Sequence, residues 1–264
     1  QFLVANNMIV MSTTNNRIIR LNLSSDQLEG MRSAPPSTVA LPLCSVLEMP
    51  RREDVIRKIF MDQSGTHVIV SARNGENFYL HAATQTLKSL KAKVSFSSTS
   101  VALCTSNTSS PISQGVLIDS VAWDKLPASA SPDVPRRALL GSSAGVLYEA
   151  RIDKSSRSVE QVYDLNDRLS ITGLELLMFP QRPGDNSPPK QCVLLTTPSR
   201  FYQFVGSGNS FVEVFSNYTA VPPDFVELPP PPPTMPFAQT SPLQVHGGRF
   251  AWLTSQGVFH GRIA

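Results

Sequence analysis

Apolar residues along this chain come in short runs, and each run is followed by a few polar residues and then a second run rich in aromatic and β-branched side chains. A strand that buries one or both faces reads as alternation or as a short apolar block, so paired runs of this kind predict β-hairpins. Five hairpins are predicted. Met8-Ile9-Val10-Met11-Ser12 turns into Arg17-Ile18-Ile19-Arg20-Leu21, and Val68-Ile69-Val70-Ser71 into Asn77-Phe78-Tyr79-Leu80. Ala138-Leu139-Leu140-Gly141 turns into Gly145-Val146-Leu147-Tyr148-Glu149, and Val193-Leu194-Leu195-Thr196 into Arg200-Phe201-Tyr202-Gln203-Phe204. Phe250-Ala251-Trp252-Leu253 turns into Gly257-Val258-Phe259-His260. Successive hairpins start roughly 55 to 70 residues apart, a little above the about 40 to 50 residues of common propeller blades.

A further strand is expected before three of the hairpins, at Ile56 to Asp62, Ile118 to Asp124 and Ile171 to Leu176. One more is expected after two of them, at Ser158 to Tyr163 and at Phe211-Val212-Glu213-Val214-Phe215. Four short antiparallel strands per unit is the anatomy of a propeller blade. A lone sheet of this size has two faces and too little to cover them, whereas radial stacking covers both and explains the dense apolar runs. The expected fold is therefore all-β: a β-propeller of four-stranded antiparallel blades, about five of them countable in 1–264 as a single domain and forming part of a seven-bladed ring. The first unit lacks a full leading strand, and the last stops before a fourth, so the missing edges are expected in residues beyond this chain.

The 22 prolines against 14 glycines agree with many short elements joined by turns. Arg32 to Pro50, Ser97 to Gly115, Pro180 to Lys190 and Pro222 to Pro236 read as loops, and Pro229 to Pro233 as a stiff polyproline II connection between units. No amphipathic helix longer than a turn or two is expected.

Hydrophobic residues at 41% and charged residues at 16% are those of a globular, soluble protein, and the net charge of +3 is scattered without a run of five like charges. Nucleic acid is not an expected partner, no run reaches the roughly 20 apolar residues of a transmembrane segment, and no signal peptide is visible at Gln1 to Val10. Cys44, Cys104 and Cys192 are widely spaced and odd in number, which reads as free thiols of a cytosolic protein rather than a disulfide framework or a zinc site. The sequon-like Asn22-Leu23-Ser24, Asn107-Thr108-Ser109 and Asn217-Tyr218-Thr219 then carry no consequence.

Gly141-Ser142-Ser143-Ala144-Gly145 matches the G-x-S-x-G nucleophile elbow as a string, but that elbow needs a helix behind its serine, and Val146 to Arg151 alternates like a strand. Ser143 is therefore expected in a hairpin turn. His67, His81, His246 and His260 lack the spacing of a metal site, and Asp26 and Asp62-Gln63-Ser64-Gly65-Thr66 fit turns rather than a calcium loop. No catalytic, cofactor-binding or metal-binding residue is assigned, no cofactor is expected, and the chain reads as a non-enzyme.

Six segments in collinear order carry a family resemblance. Ile56-Arg57-Lys58-Ile59-Phe60-Met61-Asp62-Gln63-Ser64-Gly65-Thr66-His67-Val68-Ile69-Val70 resembles a blade of the vacuolar protein sorting-associated protein 18 family, and Ile118 to Trp123 resembles its ESVxW strand. Leu140 to Gly145 is similar to its GTxxG turn, Arg200 to Gly206 to its RLFQFIG, Tyr218 to Phe225 to its YT..PP.F loop, and Phe250-Ala251-Trp252 with Gly257-Val258 to its FAW...GV. The resemblance implies the amino-terminal propeller of a core subunit of the HOPS and CORVET tethering complexes, followed in such subunits by an α-solenoid and a RING-type region. It implies vesicle docking and fusion, with cytoplasmic chains held peripherally on late endosomal and vacuolar or lysosomal membranes. Partners would be the other tether subunits, with SNAREs and Rab GTPases reached indirectly through the complex. The candidate contact stretch is Pro50-Arg51-Arg52-Glu53-Asp54. An alternative is direct lipid contact through Arg51-Arg52 and Arg136-Arg137.

Overall fold

A computed structural model describes residues 1–23, 44–81, 84, 86–90, 92–93, 115–125, 134–153, 157–179, 187–227, 243–246, 249–254 and 257–262. Asp26, Cys104, the Asn107 sequon, Pro229 to Pro233 and much of the predicted loops lie outside the described residues, as does the side chain of His246.

All five hairpins form where the alternation places them, each within one meandering antiparallel sheet. Blade 1 contains β1 (Phe2–Ala5), β2 (Met8–Ser12), β3 (Arg17–Asn22) and β4 (Cys44–Glu48). Blade 2 contains β5 (Ile56–Met61), β6 (His67–Ala72), β7 (Asn77–His81) and β8 (Lys88–Ser89), after which β9 (Ala92–Lys93) departs. Blade 3 contains β10 (Ile118–Trp123), β11 (Arg136–Ser142), β12 (Val146–Ile152) and β13 (Arg157–Asp164). The short β9 joins the rim of blade 3 as a parallel fifth strand, Ala92 opposite Val159, so this sheet exceeds the expected four. Blade 4 contains β14 (Gly173–Met178), β15 (Lys190–Thr196), β16 (Arg200–Ser207) and β17 (Phe225–Glu227); blade 5 contains β18 (Gln244–His246), β19 (Arg249–Thr254) and β20 (Gly257–Arg262).

Because successive side chains of a strand point to opposite faces, each central strand feeds two clefts. Val68 and Val70 pack towards Val10 and Ile18 of blade 1, while Ile69 between them packs with Leu140 and Tyr148 of blade 3. Leu139 and Leu147 face Val193, Leu195 and Phe204 of blade 4; Cys192 and Leu194 face Leu243 of blade 5. The core is thus a series of clefts between neighbouring sheets, which is the radial packing of a propeller. Blade 5 departs from the expected dense burial: Ala251 and Val258 to His260 are exposed.

Two expectations are corrected. The first unit does have a leading strand, β1, joined to β2 through Asn6-Asn7, both at positive φ (42° and 61°), the turn geometry that Asn tolerates best after Gly. Phe211 to Phe215 is not a strand but the start of helix α1 (Phe211–Ser216). The apolar residues of F-V-E-V-F satisfy both periods; Phe211, Val214 and Phe215 share one buried helical face, and Ser210 at the N-cap accepts from the Glu213 N–H.

Helix α1 lies over the part of β16 that the three-residue β17 leaves unpaired. There the Tyr218 hydroxyl accepts from the Val205 N–H at 2.7 Å and donates to the Val205 carbonyl at 3.1 Å. Gly206 makes room for the helix, since a Cβ on it would stand 2.8 Å from both the Cα and the carbonyl oxygen of Val214. Gly206→Ala is therefore expected to lower stability by about 1–3 kcal/mol, read as a lower urea midpoint.

Candidate functional site

Carboxamide and charged side chains stitch the blades together. Gln1 of blade 1 caps the edge of β5: its Nε2 donates to the Ile59 carbonyl and its Oε1 accepts from the Ile59 N–H, both at 2.8 Å. Asn16 does the same beside Asp54 and Ile56, donating at 3.0 Å and accepting at 2.7 Å. At the start of β10, Asp119 receives Arg57 at 2.5 Å and Lys58 at 3.0 Å from blade 2 and the Ser170 hydroxyl at 2.6 Å from the blade 4 side.

At the opposite end of the inner strands, residues of blades 2, 3 and 4 line a partly open cavity of about 150 Å³. The alternation of β11 builds it. Arg136 turns towards blade 2, where its Nη2 lies 3.3 Å from Asp62 Oδ2, with Arg136 7% and Asp62 1% exposed. Arg137, the next residue, turns the other way: it pairs with Asp124 at 3.2 Å, donates to the Asn209 carbonyl and lies over the Phe211 ring. Asp62 also holds its own turn, accepting from the N–H groups of Thr66 and His67 and from the Ser64 hydroxyl.

The cavity is walled by Met61 and Gln63 of blade 2, Trp123, Lys125 and Arg136 of blade 3, and Leu174 and Glu175 of blade 4. Trp123 Nε1 and Arg136 Nε are themselves fully buried, and neither has an acceptor among the described residues. Burial raises the Glu175 carboxyl above the usual carboxylate range, with Lys125 opposing. Behind Trp123 stands His67, whose Nδ1 is 2.7 Å from the Tyr79 hydroxyl.

Burial pushes the His67 pKa down to about 4, with Asp62 opposing, so the folded chain holds this ring neutral. Below about pH 6.5 the unfolded chain binds a proton that the folded chain refuses. The stability this residue contributes is therefore expected to fall as pH drops from about 6.5 to about 4, with no further change from it below. His67→Gln should flatten that slope in urea titrations run across the same pH range.

Of the residues the sequence singled out, Ser143 sits in the β11–β12 turn, with Gly145 at φ 80° and a strand, β12, where a nucleophile elbow would have a helix. Arg51 pairs with Asp54 at 3.3 Å and Glu76 at 3.6 Å. The Arg136-Arg137 pair is not a basic surface, because Arg136 is buried against Asp62 and Arg137 is neutralised by Asp124. His81 lies 5.2 Å from His67, ring to ring, and His260 is exposed on β20. Cys44 is exposed and Cys192 is buried in the blade 4–5 cleft; both are free thiols, and burial pushes the latter's pKa up to about 11. Sequence reasoning missed Glu175 and the donors of Trp123 and Arg136, which only three converging blades reveal.

Among the described residues no helix is long and apolar enough to cross a membrane. The WD40 domain of SCAP from fission yeast superposes over 100% of this chain and 52% of its own length with a TM-score of 0.50 at 12% identity, which speaks for the fold alone. The vacuolar protein sorting-associated protein 18 homolog of Danio rerio is 24% identical over 282 residues, covering 100% of this chain, and vacuolar sorting protein 18 of Arabidopsis thaliana is 26% identical over 218 residues, covering 80%. The matched regions are only 24% and 19% of those two relatives. The family described as the Pep3/Vps18/deep orange beta-propeller domain matches residues 1–264. Five sheets packed in series, the collinear segments and a match from end to end agree: the chain belongs to the Pep3/Vps18/deep orange β-propeller family.

Proposed function

We propose that this chain is a non-catalytic scaffold and protein-interaction propeller of a HOPS/CORVET-type tethering complex, acting in vesicle docking and fusion at late endosomes and the vacuole or lysosome. The observation that carries the reading is the family match across 1–264. In this reading the chain is one propeller domain of a longer subunit, part of a seven-bladed ring, cytoplasmic and peripheral on those membranes. It contacts other tether subunits and reaches SNAREs and Rab GTPases through them. The physical contribution is rigidity: packed clefts and side-chain clamps between blades hold loops and grooves in fixed positions, as a docking surface requires. The test is purification of the complex from cells whose subunit lacks residues 1–264. Loss of subunits or of membrane recruitment is expected; normal assembly, recruitment and fusion would overturn the reading.

Lipid binding is the lesser alternative. With Arg136 buried and Arg137 and Arg51 engaged by acids, little of the basic charge first assigned to a surface remains, and each cation contributes only about 1 kcal/mol near an anionic leaflet. No salt-sensitive flotation with phosphatidylserine liposomes is expected.

A further inference from the structure

We propose that Ser187 is a phosphorylation site for a proline-directed serine/threonine kinase that also reads a following cation, with ATP as the phosphoryl donor. Five Ser-Pro or Thr-Pro pairs occur along the chain. Two of them, Ser187-Pro188-Pro189-Lys190 and Thr197-Pro198-Ser199-Arg200, have a cation three residues after the hydroxyl. Burial separates these two. Thr197 is fully buried, and its hydroxyl accepts from the Arg200 N–H at 3.1 Å to close the β15–β16 turn. Its cation is engaged as well, since Arg200 pairs with Glu227 at 3.2 Å and lies over the Phe225 ring. Ser187, Pro188 and Lys190, by contrast, are exposed.

A kinase needs its target hydroxyl presented on an extended backbone, in line with the γ-phosphate. The ring of Pro188 disfavours a helical Ser187, and the two prolines fix their own φ, so the run is held near that shape before it is bound. Pro188 has no N–H and takes no donor from the sheet when the run is gripped. The Pro189 carbonyl, accepting from the Gly208 N–H at 3.2 Å, anchors the run where β15 begins. A pocket shaped to a proline ring just after the hydroxyl rejects other residues, whose N–H would be buried unpaired. Lys190, with its Nζ 5.5 Å over the Phe179 ring, remains at the surface for an acidic group of the kinase. In the transfer, Ser187 Oγ bonds to the γ-phosphorus and the bond to the β–γ bridging oxygen breaks. ADP leaves, and the hydroxyl proton passes to the kinase's catalytic aspartate. The product adds about −1.5 to −2 charge to an exposed flank of blade 4, which takes the formal net charge of +3 to about +1.

This site does not depend on the scaffold role proposed above. The experiment is incubation of the intact subunit, purified in its complex, with ATP and a purified cyclin-dependent kinase, followed by phosphopeptide mapping. Phosphate should appear on Ser187, with at least about tenfold less on Thr197. Pro188→Ala, at an exposed position, should lower labelling of Ser187 at least about tenfold, and Lys190→Ala should lower it several-fold. The assignment is overturned by an unlabelled Ser187, by equal labelling of Thr197, or by labelling of Ser187 indifferent to Pro188→Ala. None of these results bears on whether the complex assembles through the propeller, so the phosphorylation site and the scaffold role fail separately.

Discussion

Asp62→Ala is expected to destabilise the chain by about 3–5 kcal/mol, because it strands the buried guanidinium of Arg136 without a counter-charge. The same carboxylate accepts from Thr66 and His67 N–H and from the Ser64 hydroxyl, so the turn between β5 and β6 loosens as well. Denaturant unfolding measures the loss. The second half of the test is the double variant Asp62→Ala with Arg136→Met. If the damage comes from an uncompensated charge, removing that charge should restore a good part of the stability. A double variant no better than Asp62→Ala would place the effect in the turn alone.

Phe204→Ala should weaken the chain by a similar amount, about 3–5 kcal/mol. Phe204 is fully buried, and its ring centroid lies 4.9 Å from that of Phe215, 5.0 Å from Tyr218 and 5.3 Å from Tyr163. It therefore joins three things at once: the sheet of blade 4, helix α1 and the outer strand of blade 3. Truncation leaves a cavity that the surrounding rings cannot collapse to fill without losing their edge-to-face contacts. Unfolding by urea should show a lower midpoint for Phe204→Ala, and a smaller shift for Phe204→Leu, which keeps more of the volume. Equal shifts would mean that the aromatic cluster does not hold the helix to the sheet.

Hairpins were the part of this fold most legible in the residues, because burial on two faces leaves an apolar block that polar turns interrupt. Met8–Ser12 and Asn77 onwards begin and end almost where the alternation puts them. Phe211 to Phe215 misled for a physical reason: five residues are too few to separate a period of 2 from one of 3.6. The distinguishing signal was present upstream, since Ser210 and Glu213 have the S-x-x-E spacing of a helix start, with the Glu213 carboxylate accepting from the Asn209 N–H at 2.8 Å. Likewise Asn6-Asn7 marks the turn that makes β1 a leading strand. The cavity was illegible because its walls are drawn from a stretch of more than a hundred residues, from Met61 to Glu175, and meet only through blade packing. Arg136-Arg137 looked like a surface doublet because sequence proximity hides the fact that neighbours on a strand face opposite ways.

Tyr218 has a bearing on how strangers can approach this molecule. Open rims of sheets invite an extended peptide to lengthen the ladder, through main-chain bonds that disregard what the guest's side chains are. Along β16 that invitation is withdrawn: one phenol occupies both polar groups of Val205, and α1 lies across the same rim. Any protein that settles on the stretch of β16 beneath α1 must be recognised by the shape and chemistry of its side chains, which makes that encounter selective from the start.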